Sequence, residues 1–194
     1  HAQPGARRHP VGAGDDGDGV GGGGSVVGAV EWGGGAGPFF ADGGGGLNVT
    51  VPFKLLAHDC ADWLHESAEQ AAAANTLVFG KNGLEAWNTD GAGLVNDLMR
   101  RCGQTIAAKK ILILGAGGAA QGIIGPLLDS GPASLTIANR THSKAAQLID
   151  RAALKYAEVE LQAWSLRELA DAAGSFDLII NSTSLGLDGD EVNI

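Results

Sequence analysis

The feature that most constrains the fold is an apolar run that ends in a glycine-rich turn. Ile111-Leu112-Ile113-Leu114 leads into Gly115-x-Gly117-x-x-Ala120. This pattern is typical of a dinucleotide-binding fold: the first small residue permits the turn, the second admits the pyrophosphate, and the third packs helix on strand. The helix N-terminus would offer N–H donors to the phosphates. A purely structural glycine turn is the alternative interpretation.

Apolar runs and helix-like runs alternate along the second half of the chain. We predict strands at Lys110 to Leu114, then at 134–138, 158–164 and 177–180, and helices at 119–129, 143–156 and 165–173. Strand and helix repetition with short connections predicts right-handed crossovers and a parallel sheet covered on both faces. Residues 104–194 are therefore predicted to form a Rossmann-like, doubly wound α/β domain.

The chain before this domain divides into two parts. Residues 1–38 are so rich in glycine that they offer little side-chain surface to bury, and we expect little regular structure there. Residues 39–103 are predicted to form a partial α/β domain with strands at 47–51, 76–79 and 84–87 and helices at 55–73 and 92–101. The turn Lys81-Asn82-Gly83 joins two of these strands.

Composition excludes several classes of function. The formal net charge of -9 argues against nucleic-acid binding, which needs clustered Lys and Arg. No apolar segment approaches the length of a membrane span. Cys60 and Cys102 lack metal-type spacing, and reduced thiols in the cytoplasm are the simplest interpretation. A cluster that invites a metal hypothesis is better explained as a polar helix face, so we predict no metal; its members are His58, Asp59, Cys60, Asp62 and His65.

The end of the second predicted strand indicates which dinucleotide binds. An NAD site usually offers an acid here, but this chain has Asn139-Arg140-Thr141 with Lys144 one turn on. A guanidinium accepts a 2'-phosphate through two hydrogen bonds, so Arg140 favours NADP. The alternative is that both basic side chains are simply solvated at a helix start.

Two polar clusters precede the nucleotide loop. Asn48-Val49-Thr50-Val51-Pro52-Phe53-Lys54 holds a lone lysine, and Asn88-Thr89-Asp90-Gly91 holds a lone aspartate. Taken alone, Lys54 fits a solvated surface residue, Asp90 fits a helix N-cap and Asn75 fits a helix-end cap. The two strings followed by the glycine loop, in this order, resemble the shikimate dehydrogenase family.

The resemblance implies an NADP-dependent oxidoreductase of the shikimate pathway, which leads to chorismate and aromatic amino acids. Such an enzyme reversibly reduces 3-dehydroshikimate to shikimate. It implies that Lys54 is the acid/base, paired with Asp90. It also implies that the substrate is bound by Asn48, Thr50, Lys54, Asn75 and Asp90. The implied cofactor contacts are Glu66, Gly115, Ala116, Gly117, Gly118, Ala119, Asn139, Arg140, Thr141, Lys144, Thr183 and Ser184. For Thr183 and Ser184, a polar turn is an equally compatible interpretation.

The resemblance is incomplete at both ends of the chain. The family's Ser-x-Ser-Pro-like carboxylate-binding motif and its later Tyr and Gln substrate contacts have no counterpart here, so we expect a chain truncated at both ends. Two other functions therefore stay open: a dehydrogenase that also uses quinate, and a catalytically inactive NADP-binding fragment. The sequence leaves the oligomeric state open and is compatible with a homodimer.

Overall fold

The protein, described by a computed structural model, contains two separate β-sheets flanked by helices. The structure describes residues 39–171 and 176–183, so the predictions for residues 1–38 and for Ser184 lie outside the described residues. The elements of the first half are β1 (Gly46–Asn48), α1 (Lys54–Cys60), β2 (Trp63–Leu64), α2 (Glu66–Ala71), β3 (Thr76–Gly80), β4 (Gly83–Trp87) and α3 (Asp90–Asn96). Those of the second half are β5 (Lys110–Leu114), α4 (Gly118–Asp129), β6 (Ser134–Asn139), α5 (His142–Ala153), β7 (Glu160–Ser165), α6 (Leu166–Asp171) and β8 (Leu178–Asn181).

The first sheet is mixed and has the strand order β1-β3-β4-β2. Its centre is the antiparallel hairpin of β3 and β4, in which Thr76 pairs with Trp87 and Gly80 with Gly83. Gly83 has φ +89°, a conformation that favours glycine, as expected at a tight turn. Both strands of this hairpin agree with the sequence prediction.

The helix predicted over residues 55–73 is wrong, because the chain forms α1, then β2, then α2. Trp63 and Leu64 leave the helical path and pair in parallel with Glu85 and Ala86 of β4. The Asp62 carboxylate accepts the N–H of Leu84 at 2.9 Å, which fixes the exit from α1. Pairing with a distant strand therefore overrides the local helical pattern.

The second sheet is parallel, with the strand order β7-β6-β5-β8. In β5, Ile111 and Ile113 pack in a core with α4 and α5, whereas Leu112 and Leu114 pack in a second core with Leu169 of α6. Helices thus cover both faces, and the predicted doubly wound α/β fold is confirmed. The chain runs from β5 to β6 and β7 in one direction and then crosses back to place β8 on the other side of β5. The topological switch point therefore lies at the carboxyl ends of β5 and β8, where open α/β sheets bind ligands.

The two halves contact each other through α3 and α4. A Cβ atom on Gly91 would lie 2.5 Å from the Gly122 carbonyl oxygen and 2.5 Å from Pro126 Cγ. The helices therefore approach backbone to backbone at this point. A π-helical turn at Asp97–Arg101 extends α3, and together they occupy the predicted helix over 92–101. Within the described residues, no helix is both long and apolar enough to cross a membrane.

Candidate functional site

Lys54 and Asp90 come together although 36 positions separate them in sequence. Each is the first residue of a helix, α1 and α3 respectively, and Lys54 Nζ lies 2.7 Å from Asp90 Oδ2. The two side chains are 13% and 24% exposed, so the pair is largely shielded yet reachable from solvent. A charged hydrogen bond in such a setting holds both groups in one orientation.

Asn75 hydrogen-bonds to the second oxygen of the Asp90 carboxylate. Its Nδ2 donates to Asp90 Oδ1 at 2.7 Å and to Thr89 Oγ1 at 2.9 Å, while its Oδ1 accepts the Thr89 N–H at 3.0 Å. Thr89, not Asp90, occupies the N-cap position of α3. Asp90 is thus directed at Lys54 and Asn75 rather than at its own helix backbone.

Asn48 and Thr50 lie on the segment that runs beside Asn75. The Val49 N–H donates to the Asn75 carbonyl oxygen at 2.7 Å, and Asn48 pairs with Thr76 in the sheet register. Both Asn48 and Thr50 are exposed. Five polar residues thus lie at one corner of the first sheet, which we call the polar corner: Asn48, Thr50, Lys54, Asn75 and Asp90.

The glycine loop after β5 has the geometry that the sequence predicts. Gly115 has φ +100°, and a Cβ there would lie 2.9 Å from Ser182 Oγ, so only glycine fits without displacement. Gly117 is the N-cap of α4, makes no side-chain cap bond and has open space where a side chain would project. The first-turn N–H groups of a helix lack intrahelical partners, so this end suits a phosphate.

The loop and the lysine are neighbours. A Cβ on Gly118 would lie 3.4 Å from Lys54 Cβ and 3.8 Å from Lys54 Cδ, which is ordinary van der Waals distance. The aliphatic stem of Lys54 therefore crosses the N-terminus of α4. This contact joins the polar corner of the first sheet to the switch point of the second.

The basic residues predicted to select the dinucleotide follow β6 at the same edge of the sheet. Ala138 pairs with Leu114, so Asn139 and its successors emerge beside the glycine loop. Asn139 Nδ2 donates to the Thr141 carbonyl at 2.9 Å, and Arg140 and Lys144 are exposed. These exposed cations lie beside a helix N-terminus that is suited to bind phosphate. They fit an NADP molecule, which carries an extra 2'-phosphate.

Thr183 lies at the end of β8 in a polar turn. Its N–H and its hydroxyl both donate to Asn181 Oδ1, at 3.0 and 2.7 Å. The neighbouring Ser182 hydroxyl donates to the Leu114 carbonyl at 2.7 Å, which ties β8 to β5. The turn proposed as the alternative interpretation is present, and it borders the glycine loop.

Glu66 is not brought to this cluster. Its carboxylate accepts Gln70 Nε2 at 2.6 Å and lines a groove of about 230 Å³ that follows α4 as far as Asp129. Nearby, Tyr156 donates its hydroxyl to Asp129 at 2.7 Å, and burial together with this hydrogen bond raises the pKa of Tyr156 above its ordinary value. Within residues 39–171 and 176–183, no three His, Cys, Asp or Glu side chains are grouped to hold a metal.

Sequence reasoning overlooked Asn88, the least exposed polar residue of the cluster at 4%. Its Oδ1 accepts the Asp90 N–H at 3.1 Å and its Nδ2 donates to the Ala73 carbonyl at 3.0 Å. Burial of an amide between two loops depends on tertiary contacts, so its position before Thr89 in sequence carried no signal.

The fold and the site define a dinucleotide-fold α/β protein with a lysine–carboxylate pair beside its nucleotide loop. The family model for shikimate / quinate 5-dehydrogenase matches residues 97–186, and that for the shikimate dehydrogenase substrate binding domain matches residues 37–77. The chain belongs to the shikimate dehydrogenase family.

Individual relatives agree with this assignment. The chain is 49% identical over 149 residues to a shikimate dehydrogenase (NADP(+)) of Janthinobacterium sp. (strain Marseille), covering 77% of this chain and 52% of that protein. It is similar to a shikimate dehydrogenase solved with NADP+ (32% identity, TM-score 0.65, 77% and 51% covered). It also resembles the Listeria monocytogenes shikimate 5-dehydrogenase solved with shikimate and NAD (28%, 0.68, 81% and 56%). The chain spans about half the length of the curated relatives it matches.

Proposed function

We propose that this protein is an NADP-dependent shikimate dehydrogenase, which reversibly reduces 3-dehydroshikimate to shikimate. The observation that carries the proposal is the 2.7 Å contact between Lys54 Nζ and Asp90 Oδ2, with the Lys54 stem against Gly118. It joins a proton donor to a nucleotide-type loop in one site. The names of the relatives and the two family models support the same activity.

The reaction needs a group that supplies a proton to a new alkoxide and removes it in reverse. NADPH, when bound, supplies the hydride. The Lys54 ammonium donates the proton to the substrate oxygen, and its amine accepts that proton during shikimate oxidation. Asp90 holds the ammonium in place and can share its proton, so the two groups act as a coupled pair. Asn75 fixes the other carboxylate oxygen, and with Asn48 and Thr50 it offers hydrogen bonds to substrate hydroxyls.

The chain's own groups would hold the cofactor at the edge of the second sheet. The N–H groups that begin α4 would donate to the pyrophosphate, and the open space beside Gly117 would let it approach the backbone. Arg140 and Lys144 would bind the 2'-phosphate. The other contacts in the proposal are Ala116, Ala119, Asn139, Thr141, Thr183, Ser184 and, from the resemblance alone, Glu66.

The test compares Lys54→Ala with Lys81→Ala, a substitution of an exposed lysine in the β3–β4 turn. Turnover is followed as NADPH absorbance with shikimate and NADP+ as substrates. Loss of a general acid/base should lower kcat by about 10²–10⁴-fold and leave shikimate affinity nearly unchanged, whereas Lys81→Ala should match the parent protein. Equal turnover in all three proteins would refute the role of Lys54.

A second candidate is a dehydrogenase that also oxidises quinate, because the matching family model describes shikimate and quinate enzymes together. Comparing kcat/KM for the two substrates distinguishes these functions. NADP+ binding by calorimetry without oxidation of either substrate would instead indicate a nucleotide-binding fragment. A cytoplasmic location and a homodimer stay predictions from the sequence.

A further inference from the structure

We propose that Asn88 is a positioning residue that sets the geometry of the Lys54–Asp90 pair, and that Gly122 of α4 fixes Asn88. This inference rests on the proposed function, because it concerns the same site. Asn88 hydrogen-bonds to the Ser67 hydroxyl, the Ala73 carbonyl and the Asp90 N–H. It acts through the backbone on either side of the polar corner.

Asn88 links two loops of the site. Its Oδ1 accepts the N–H of Asp90, and its Nδ2 donates to the Ala73 carbonyl, two residues before Asn75. Only one orientation of the amide satisfies both partners, since the N–H needs an acceptor and the carbonyl needs a donor. The side chain therefore holds the two segments that supply the Asp90 carboxylate and its Asn75 partner.

Asn88 is itself held by contacts with Ser67 and Gly122. Its backbone N–H donates to Ser67 Oγ at 3.0 Å, and its side-chain amide lies against Gly122. A Cβ on Gly122 would lie 2.7 Å from Asn88 Oδ1 and 2.9 Å from Asn88 Nδ2. Both values are too short for a real contact, so Gly122→Ala must displace the amide without removing it.

Helix α4 contains a second glycine, Gly125, that serves as a control site. A Cβ on Gly125 would lie 3.2 Å from Gln70 Oε1, the movable end of a flexible side chain. Gly122→Ala and Gly125→Ala both replace a helical glycine of α4 by alanine. They are compared through ligand affinity rather than stability, because Gly125 precedes Pro126, where alanine disfavours the helix. They differ in whether the new methyl group meets Asn88.

The experiment uses the full chain. Calorimetry gives the affinities for shikimate and NADP+, and turnover and the thermal midpoint are measured separately. In Gly122→Ala we expect shikimate affinity to fall about tenfold and kcat about 100-fold, because small displacements of catalytic groups are costly. NADP+ affinity should stay at the value of the Gly125→Ala control. The thermal midpoint should fall below that of the parent protein by a few degrees, because the displaced amide disturbs two buried hydrogen bonds. Asn88→Ala should reproduce the loss of shikimate affinity, since Asp90 loses its backbone tether.

Two results would overturn the inference. One is Gly122→Ala behaving like Gly125→Ala toward shikimate. The other is an equal loss of shikimate affinity and NADP+ affinity, which would indicate a general structural role. If the parent protein does not oxidise shikimate, the proposed function fails, but hydrogen exchange still tests the positioning. Faster exchange of the Asp90 amide in Gly122→Ala than in Gly125→Ala would support it, and equal exchange would overturn it.

Discussion

The Lys54–Asp90 contact should contribute measurably to stability as well as to chemistry. Exposed ion pairs contribute about 0–1 kcal/mol, whereas breaking a fully buried pair costs about 3–5 kcal/mol. At 13% and 24% exposure and 2.7 Å separation, this pair falls between those limits. We therefore expect a coupling free energy of about 1.5–3 kcal/mol, as for hydrogen bonds between charged groups.

A double-mutant cycle with Lys54→Met and Asp90→Asn measures this coupling. Methionine keeps the apolar stem against Gly118, and asparagine keeps an acceptor for Asn75 Nδ2, so each change removes mainly the charge. Urea unfolding followed by tryptophan fluorescence gives the four free energies of unfolding. The control cycle is Arg101→Met with Asp97→Asn, a more exposed pair at 3.2 Å, where we expect about 0.5 kcal/mol or less. Equal coupling in both cycles would refute the shielding argument.

Three further predictions concern the nucleotide half. Arg140→Ala should weaken NADP+ binding about tenfold while leaving NAD+ binding unchanged, by calorimetry; an equal loss for both would place the guanidinium elsewhere. Gly115→Ala should lower the free energy of unfolding by about 1–3 kcal/mol in urea, because alanine is strained at φ +100° and meets Ser182; a neutral result would contradict the close approach. The only tyrosine, Tyr156, should titrate at 295 nm with a pKa above its ordinary value, less so in Asp129→Asn, where burial remains but the carboxylate is gone. Since the folded state favours the neutral phenol, this contribution to stability is complete below pH of about 10 and disappears as pH rises through the folded pKa.

The second half of the fold follows closely from sequence because its signals are local. From Ile111 to Leu114 the strand β5 is buried on both faces and is therefore apolar, and glycine ends it where the chain must turn. Helix α4 begins at Gly118, one residue from its predicted start. In such βαβ units the burial pattern, the turn chemistry and the helix start agree with each other, so short-range reasoning suffices.

The first half depends on contacts that are distant in sequence. The two-residue strand β2 interrupts a helical pattern because it pairs with the edge of β4. Neither Trp63 nor Leu64 carries a local signal that predicts this pairing. The sequence associates Lys54 with Asp90 only through the family resemblance of two motif strings, since 36 positions separate the two residues. Asn88 belongs to the same string as Asp90. That string does not predict that Asn88 is buried between two loops and a helix.

The placement of these residues explains why small side chains recur where the two halves meet. Asp90 is followed directly by Gly91, the point where α3 approaches the Gly122 carbonyl, and Gly122 also supports the Asn88 amide. The carboxylate thus lies one residue from a backbone-to-backbone contact with the helix whose N-terminus faces the nucleotide site. Because backbone contacts leave less freedom than contacts between long side chains, the distance from Asp90 to α4 is set by packing. Lys54 lies between that carboxylate and Gly118, so the same helix constrains both members of the pair and the loop beside them.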